Sequence, residues 1–280
     1  EEGFRRLDAV SVAGAVLFAL AGLVANMLSW RAVLAGMGSR LPVTAAARIF
    51  MLAQLGKYLP GSVWPVLAQT EMGRDHGVPR LRSGGAAIAA LIVGLTVGAI
   101  VAGLGLVTTG TGALRSYAWV LAVIPFGLVA LHPRVLRALL DTAMRLLRRP
   151  GQQHSVDGRS LLVAAGWSLV MWLCFGAHVW VLARALGASG GSLPVISAGA
   201  YAAAWVVGFL VVIAPAGAGP REVVLVLALA PVLPRGDALV LALVSRFVML
   251  VGDVVCVGGA VLAGWLRRAD PVVARPEPEE

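Results

Sequence analysis

Charge is what this sequence has least of. Only 13% of its 280 residues are Asp, Glu, Lys or Arg, against about 25% in a typical soluble domain, and no stretch is polar enough to form such a domain on its own. Cysteine is nearly absent. Cys174 and Cys256 both lie in apolar runs, which excludes a disulfide framework or a thiolate metal site and leaves two small core residues. The motifs of catalysis are missing too. No His/Cys/Asp spacing suits a metal, no Gly-x-Ser-x-Gly elbow appears, and there is no phosphate loop. The chain is therefore not expected to be an enzyme, to need a cofactor or to couple ATP hydrolysis to movement by itself. Lysine is the sharpest shortage, with Lys57 alone beside 22 arginines.

What is present is apolar. Hydrophobic residues make up 59% of the chain, and the mean hydropathy is +0.87. These values belong to an integral membrane protein, and the expected class is all-α and polytopic, a single transmembrane domain over residues 1–280. The net charge of +9 suggests nucleic acid at first sight. The arginines, however, fall mainly in short loops between apolar runs, which is the positive-inside pattern of membrane proteins; nucleic acid is not expected as a partner.

A spanning helix needs about 20 mostly apolar residues. Residues 7–30, 83–109, 161–186 and 238–265 meet that length, and 117–131 meets it if tilted or locally matched. Gly94 and Gly98 have the small-xxx-small spacing that lets helix backbones approach. The chain begins at Glu1, and Leu7 opens a run too long for a signal peptide, so a trimmed start and a missing preceding helix are expected.

Two stretches are not simple spans. Residues 42–74 read as an apolar helix, a break at Pro60-Gly61, and a second helix with Pro65 in its first turn. Residues 192–230 read as an apolar helix, a Pro/Gly-rich break at Pro215-Ala216-Gly217-Ala218-Gly219, and a short helix from Arg221. Backbone broken at membrane depth is tolerated only where protein or a water-filled cavity covers it. Both stretches are expected to be re-entrant hairpins.

Residues 132–159 carry six arginines (Arg134, Arg137, Arg145, Arg148, Arg149 and Arg159), with apolar residues at helical spacing. They read as a basic amphipathic helix on the cytoplasmic face. Counting crossings outward from it puts the 267–280 tail, with Arg267 and Arg268 before it turns acidic, in the cytoplasm. The order becomes span, hairpin, span (7–109), a linking span (117–131), then span, hairpin, span (161–266). An odd linker inverts the second unit, and inverted repeats with discontinuous helices are a recurrent transporter plan. The two hairpin tips would then meet near the midplane.

The charges at those tips are the candidate site. Lys57 lies just before Pro60, Gly61 and Ser62. In the second tip Gly217 and Gly219 permit close backbone approach, and Pro220 suits the first position of a helix. Arg221 and Glu222 follow. A helix N-terminus favours an anion, and Arg221 can grip phosphate with two N–H groups. Arg246 and Asp253, seven residues apart, share a helix face in the last span. They can pair with each other or with Lys57, Arg221 or Glu222. The competing reading is that Arg221 and Glu222 simply pair and that Lys57 snorkels to an interface. His178 reads as a hydrogen-bonded core histidine.

Gln54-Leu55-Gly56-Lys57-Tyr58-Leu59-Pro60-Gly61-Ser62-Val63-Trp64, Pro215-Ala216-Gly217-Ala218-Gly219-Pro220-Arg221-Glu222 and Arg246 together resemble the lysylphosphatidylglycerol synthase transmembrane-region family, also called uncharacterised protein family 0104. The resemblance covers nearly the whole chain. It implies a bacterial or archaeal multi-pass cell-membrane protein, whose best understood relative is the flippase half of the enzyme that makes and exports aminoacylated phosphatidylglycerol. It also implies a role for Lys57, Pro60, Gly61, Pro215, Gly217, Gly219, Arg221 and Glu222. The soluble aminoacyl-transferase domain is not among the 280 residues, so synthase activity is not expected to follow. The expectation is a flippase for an anionic-headgroup lipid, either a phospholipid or aminoacyl-phosphatidylglycerol. Alternatives are a flippase for a polyprenyl-phosphate-linked sugar in envelope glycan assembly, and a non-transporting scaffold of an envelope glycosyltransferase. Membrane lipid is the expected partner, with a second copy of the chain or an envelope-biosynthesis enzyme beside it.

Overall fold

The computed structural model describes residues 7–59, 63–109, 123–131, 134–135, 138, 157–211 and 215–269. Among them the chain is helical with no strand. The helices are α1 (Ala9–Gly36), α2 (Val43–Gln54), α3 (Trp64–Arg74), α4 (Arg80–Thr109), α5 (Val123–Leu131), α6 (Gly158–Ala185), α7 (Leu193–Leu210), α8 (Pro220–Leu229) and α9 (Arg235–Ala269). A 3-10 turn over Leu55–Tyr58 follows α2, and another over Pro215–Gly217 lies between α7 and α8.

The long helices are punctuated alike. α1 starts at Asp8, whose carboxylate accepts from the Ser11 backbone N–H at 3.0 Å. α6 starts at Asp157, which accepts from Arg159 at 3.3 Å. Each side-chain oxygen satisfies one of the N–H groups left over at a helix start. Both helices run 28 residues. Arg159 thus belongs to the first turn of a spanning helix, not to the amphipathic segment assigned from its charge. Residues 139–156 of that segment lie outside the described residues, as does the tail from 270.

Among the described residues, five helices are long and apolar enough to cross a membrane: Ala9–Gly36, Arg80–Thr108, Gly158–Ala185, Leu193–Leu210 and Arg235–Trp265. Four coincide with spans read from hydropathy. Of the expected 117–131 span the structure describes α5, nine residues. The newcomer is α7. Its 18 residues extend about 27 Å at 1.5 Å per residue, close to the roughly 30 Å of a bilayer core. The first arm of the other hairpin, α2, has 12 residues and reaches only about 18 Å. The two helix–break–helix stretches share an order of elements and differ in the length of their first helix.

The helices pair in a pattern that survives exchange of the two units. α1 packs on α6, its own counterpart. α4 packs on α7 as α9 packs on α2; α3 packs on α4 as α8 packs on α9; α1 packs on α9 as α6 packs on α4. The two 3-10 turns touch each other.

The tightest crossing is between α4 and α7. A Cβ added at Gly199 would lie 2.5 Å from the Gly105 Cα, and one added at Gly105 would lie 2.6 Å from the Gly199 Cα. Small residues are what allow two backbones this close. Gly94 and Gly98 act differently from the backbone-contact role their spacing suggested. A Cβ at Gly98 would sit 2.6 Å from the Trp172 ring, and the Trp172 indole N–H donates to the Gly94 carbonyl at 3.0 Å. This glycine pair seats an indole. It explains why a residue as large as Trp172 is only 1% exposed.

Candidate functional site

Lys57 ends the first hairpin's inward arm, in the second half of its 3-10 turn. Its ammonium lies 2.8 Å from one oxygen of Asp253 and 2.6 Å from the other. The Tyr58 hydroxyl donates to the same carboxylate at 2.6 Å. Asp253 is 4% exposed; a charge held there inside an apolar helix is tolerated because both its oxygens are partnered. The pair ties the first unit to the last helix of the second. Of the partners open to Lys57 and Asp253 in the sequence, they choose each other.

The second tip is built from an unusual backbone. Ala216, Gly217 and Gly219 all take positive φ, at 50°, 70° and 91°. Glycine does so at little cost, whereas Ala216 is strained. Gly217 is buried against Gly208 of α7, where an added Cβ would come within 3.1 Å of backbone. Pro220 then opens α8, with Gly219 as its N-cap. Glu222 reaches back to accept from the Gly219 N–H at 2.7 Å and with its other oxygen accepts from the Arg246 guanidinium. One carboxylate thus caps α8 and holds α9. The competing reading, in which Arg221 and Glu222 pair, does not hold. The start of α8, expected to be open to an anion, is partly satisfied by the chain's own acid.

Arg221 is the remaining cation. It donates to the Tyr201 hydroxyl, and its guanidinium carbon stands 4.7 Å from the Tyr201 ring centroid. Among the described residues no carboxylate lies within ion-pair distance of it. Tyr201 is fully buried. Its ring meets the edge of His178 at 4.7 Å and 89°, and His178 bonds Ser245 at 2.8 Å. His178 is therefore the core histidine expected of it. It fixes α6 to α9 behind the tyrosine.

Lys57, Arg221 and Arg246 all line one cavity of about 480 Å³, and Gly217 contributes to its wall. The rest of the wall is largely apolar, with Trp30, Phe50, Trp172, Trp205, Phe209 and Phe247 among its aromatic members. Trp205 and Phe209 stack with centroids 5.5 Å apart, and Trp205 meets Trp172 edge-on. This volume falls within the range of small-molecule sites. Among the described residues no three acids, histidines or cysteines stand together to hold a metal. Pro60, Gly61 and Ser62 lie outside the described residues. Gly219 is exposed and does not line the cavity.

Reasoning from sequence missed Tyr58 and Tyr201. A tyrosine beside a lone lysine, and a tyrosine in a helix of small residues, were both legible as aromatic, but only the fold shows that each phenol serves a charge. Trp30, Gln54 and Gln69 were missed as wall residues for the same reason.

Several apolar helices long enough to cross a bilayer, enclosing a cavity with three cations in its wall, define a multi-pass membrane protein with a polar site in its core. The family follows from the whole chain: residues 2–257 match the family described as lysylphosphatidylglycerol synthase TM region, and the chain belongs to it. That membership points to a function related to membrane lipids. No curated protein matches the chain.

Proposed function

We propose that this protein moves a lipid with an anionic headgroup between the leaflets of the cell membrane and performs no covalent chemistry. The observation that carries the reading is Arg221. It stands in the wall of a cavity at the meeting of two helix breaks, and its partner there is a neutral phenol. An arginine whose charge is uncancelled in a low-dielectric setting attracts a phosphate strongly and can hold it with two N–H groups. The mostly apolar remainder of the wall suits the glycerol and upper acyl region that follows the phosphate, while the chains stay in lipid.

The two units are proposed to be inverted in the membrane, with both hairpins re-entrant. The exchange of packing partners between units and the single linking segment support this arrangement. The basic segment 132–159 and the C-terminus are placed in the cytoplasm by the positive-inside rule.

Reconstitution into liposomes with fluorescent phosphatidylglycerol tests the transport reading. Faster loss of dithionite-protected label than in empty liposomes is expected, with Arg221→Gln abolishing the gain. Equal rates with and without protein, for both phospholipid and polyprenyl-phosphate hexose, would favour a non-transporting scaffold. Cysteines placed at Ser62 and Ala218 test the hairpins. Both should be shielded from bulky impermeant reagents on either side, and free labelling of both from one side would sink the inverted arrangement.

A further inference from the structure

An arginine side chain loses much rotamer freedom when it is ordered. A guanidinium that grips phosphate with two N–H groups therefore binds best when it is held in place before the ligand arrives. Helix α7 holds Arg221 at both ends. At the root, a Cβ added at Gly208 would come within 3.1 Å of the Arg221 Cβ. At the tip, the Tyr201 hydroxyl accepts from the guanidinium, which also stands over the tyrosine ring. Gly208 and Tyr201 are seven residues apart and share one face of α7, so the arginine lies along that helix.

Tyr201 has no freedom of its own. It is fully buried, and three aromatic residues of α6 enclose its ring. Beside His178 these are Phe175 at 5.6 Å and Trp172 at 6.5 Å between centroids. Trp172 is bonded to Gly94 of α4, and His178 to Ser245 of α9. The phenol is thus set against three other helices. It does not line the cavity, whereas Arg221 does, so it can act on a ligand only through Arg221.

Packing does not require the hydroxyl, because phenylalanine would supply the same ring. A buried hydroxyl is costly unless it is bonded, and here its bond is to Arg221. The choice of acceptor matters too. Lys57 and Arg246 are held by carboxylates, which cancel their charge. A phenol accepts the hydrogen bond as a neutral group and leaves the positive charge whole.

We infer that Tyr201 is a positioning residue of the phosphate site: its hydroxyl orients the Arg221 guanidinium toward the cavity without neutralising it. This rests on the proposed lipid site but not on transport.

The test is binding by the whole chain in detergent, measured by calorimetry. The probes are short-chain phosphatidylglycerol, a short polyprenyl phosphate, and diacylglycerol, which lacks phosphate. The native chain should bind at least one phosphate lipid about tenfold or more tighter than diacylglycerol. Tyr201→Phe should weaken that binding by about fivefold or more, in keeping with one lost hydrogen bond, and leave diacylglycerol unchanged. In an Arg221→Gln background the same tyrosine change should have no further effect on phosphate-lipid affinity, an interdependence that a merely structural role would not produce. Gly208→Ala, which crowds the root of Arg221 and leaves the phenol intact, should also weaken phosphate-lipid binding; it carries the test should Tyr201→Phe not fold. Native affinity in both Tyr201→Phe and Gly208→Ala would overturn the inference. So would an equal loss from Tyr201→Phe with and without Arg221. If no phosphate lipid outbinds diacylglycerol on the native chain, the lipid site itself falls and the inference with it.

Discussion

The two hairpin tips carry one cation each, and the structure treats them oppositely. Lys57 is locked in a two-oxygen ion pair with Asp253, reinforced by Tyr58. Arg221 rests on a tyrosine. The first cation fastens one unit to the other, and the second has no acid within ion-pair distance among the described residues. A desolvated charge is costly unless it is paired, so a protein that needs an available charge in its core benefits from anchoring the others. The unequal pairing separates structure from function better than position along the chain does.

That comparison can be broken by mutation. The largest effect is expected for Lys57→Met, which strands Asp253 without its counter-charge. Losing one partner of a buried pair costs about 3–5 kcal/mol. Thermal melts in detergent should show a sharp drop, and the double variant Lys57→Met, Asp253→Leu should recover much of it. Arg221→Gln should do the reverse, removing lipid movement at a stability cost of about 1–3 kcal/mol, smaller than that of Lys57→Met because it abandons a phenol and not an acid. If Arg221→Gln unfolds the protein and Lys57→Met only slows transport, the roles assigned to the tips are exchanged. Tyr58→Phe deletes one hydrogen bond to a carboxylate and should cost about 1.5–3 kcal/mol, visible as a lower melting temperature.

Backbone differences sharpen the contrast further. Gly217→Ala meets both a positive φ and the Gly208 backbone, and the strain alone is worth about 1–3 kcal/mol. Gly56→Ala meets only the Trp64–Pro65 segment, with Cβ contacts at 3.0 Å, and should cost less in a parallel melt. The smallest effect is expected at Glu71, exposed at the hairpin's end, where Arg80 at 2.7 Å and Arg74 at 3.5 Å accompany it. The hydrogen bond from Arg80 lowers its pKa below the ordinary carboxylate value. Its contribution is therefore present above that ordinary value and fades as pH falls through the lowered one. Glu71→Gln should shift the melting temperature slightly at neutral pH and not at all in strong acid.

Much of the architecture was readable in the sequence. Pro60-Gly61 and the Pro215–Gly219 run announce both breaks because proline and glycine interrupt helices for steric reasons that need no tertiary context. Long apolar runs announce four of the crossings in the same way. Partner choice was not readable. Arg246 and Asp253 share a helix face, yet they bond to different neighbours, Glu222 and Lys57. Sequence spacing fixes direction around a helix and says nothing about which residue of another helix stands at the same depth. The indole seat on α4 was hidden likewise, since small-residue spacing is the same whether a backbone or a Trp172 ring fills the gap.

One lysine in 280 residues is also a chemical opportunity. The sequence holds a single ε-amine, and in the folded protein it is engaged with Asp253 while its side chain remains 28% exposed. Acylating reagents need that amine released and unprotonated. Its modification rate, followed by mass spectrometry, therefore counts how often the clasp between the two units opens. A lipid that draws the tips apart would quicken the reaction and one that holds them together would slow it. The chain carries its own reporter of conformational exchange, with no label to install and no competing lysine to subtract.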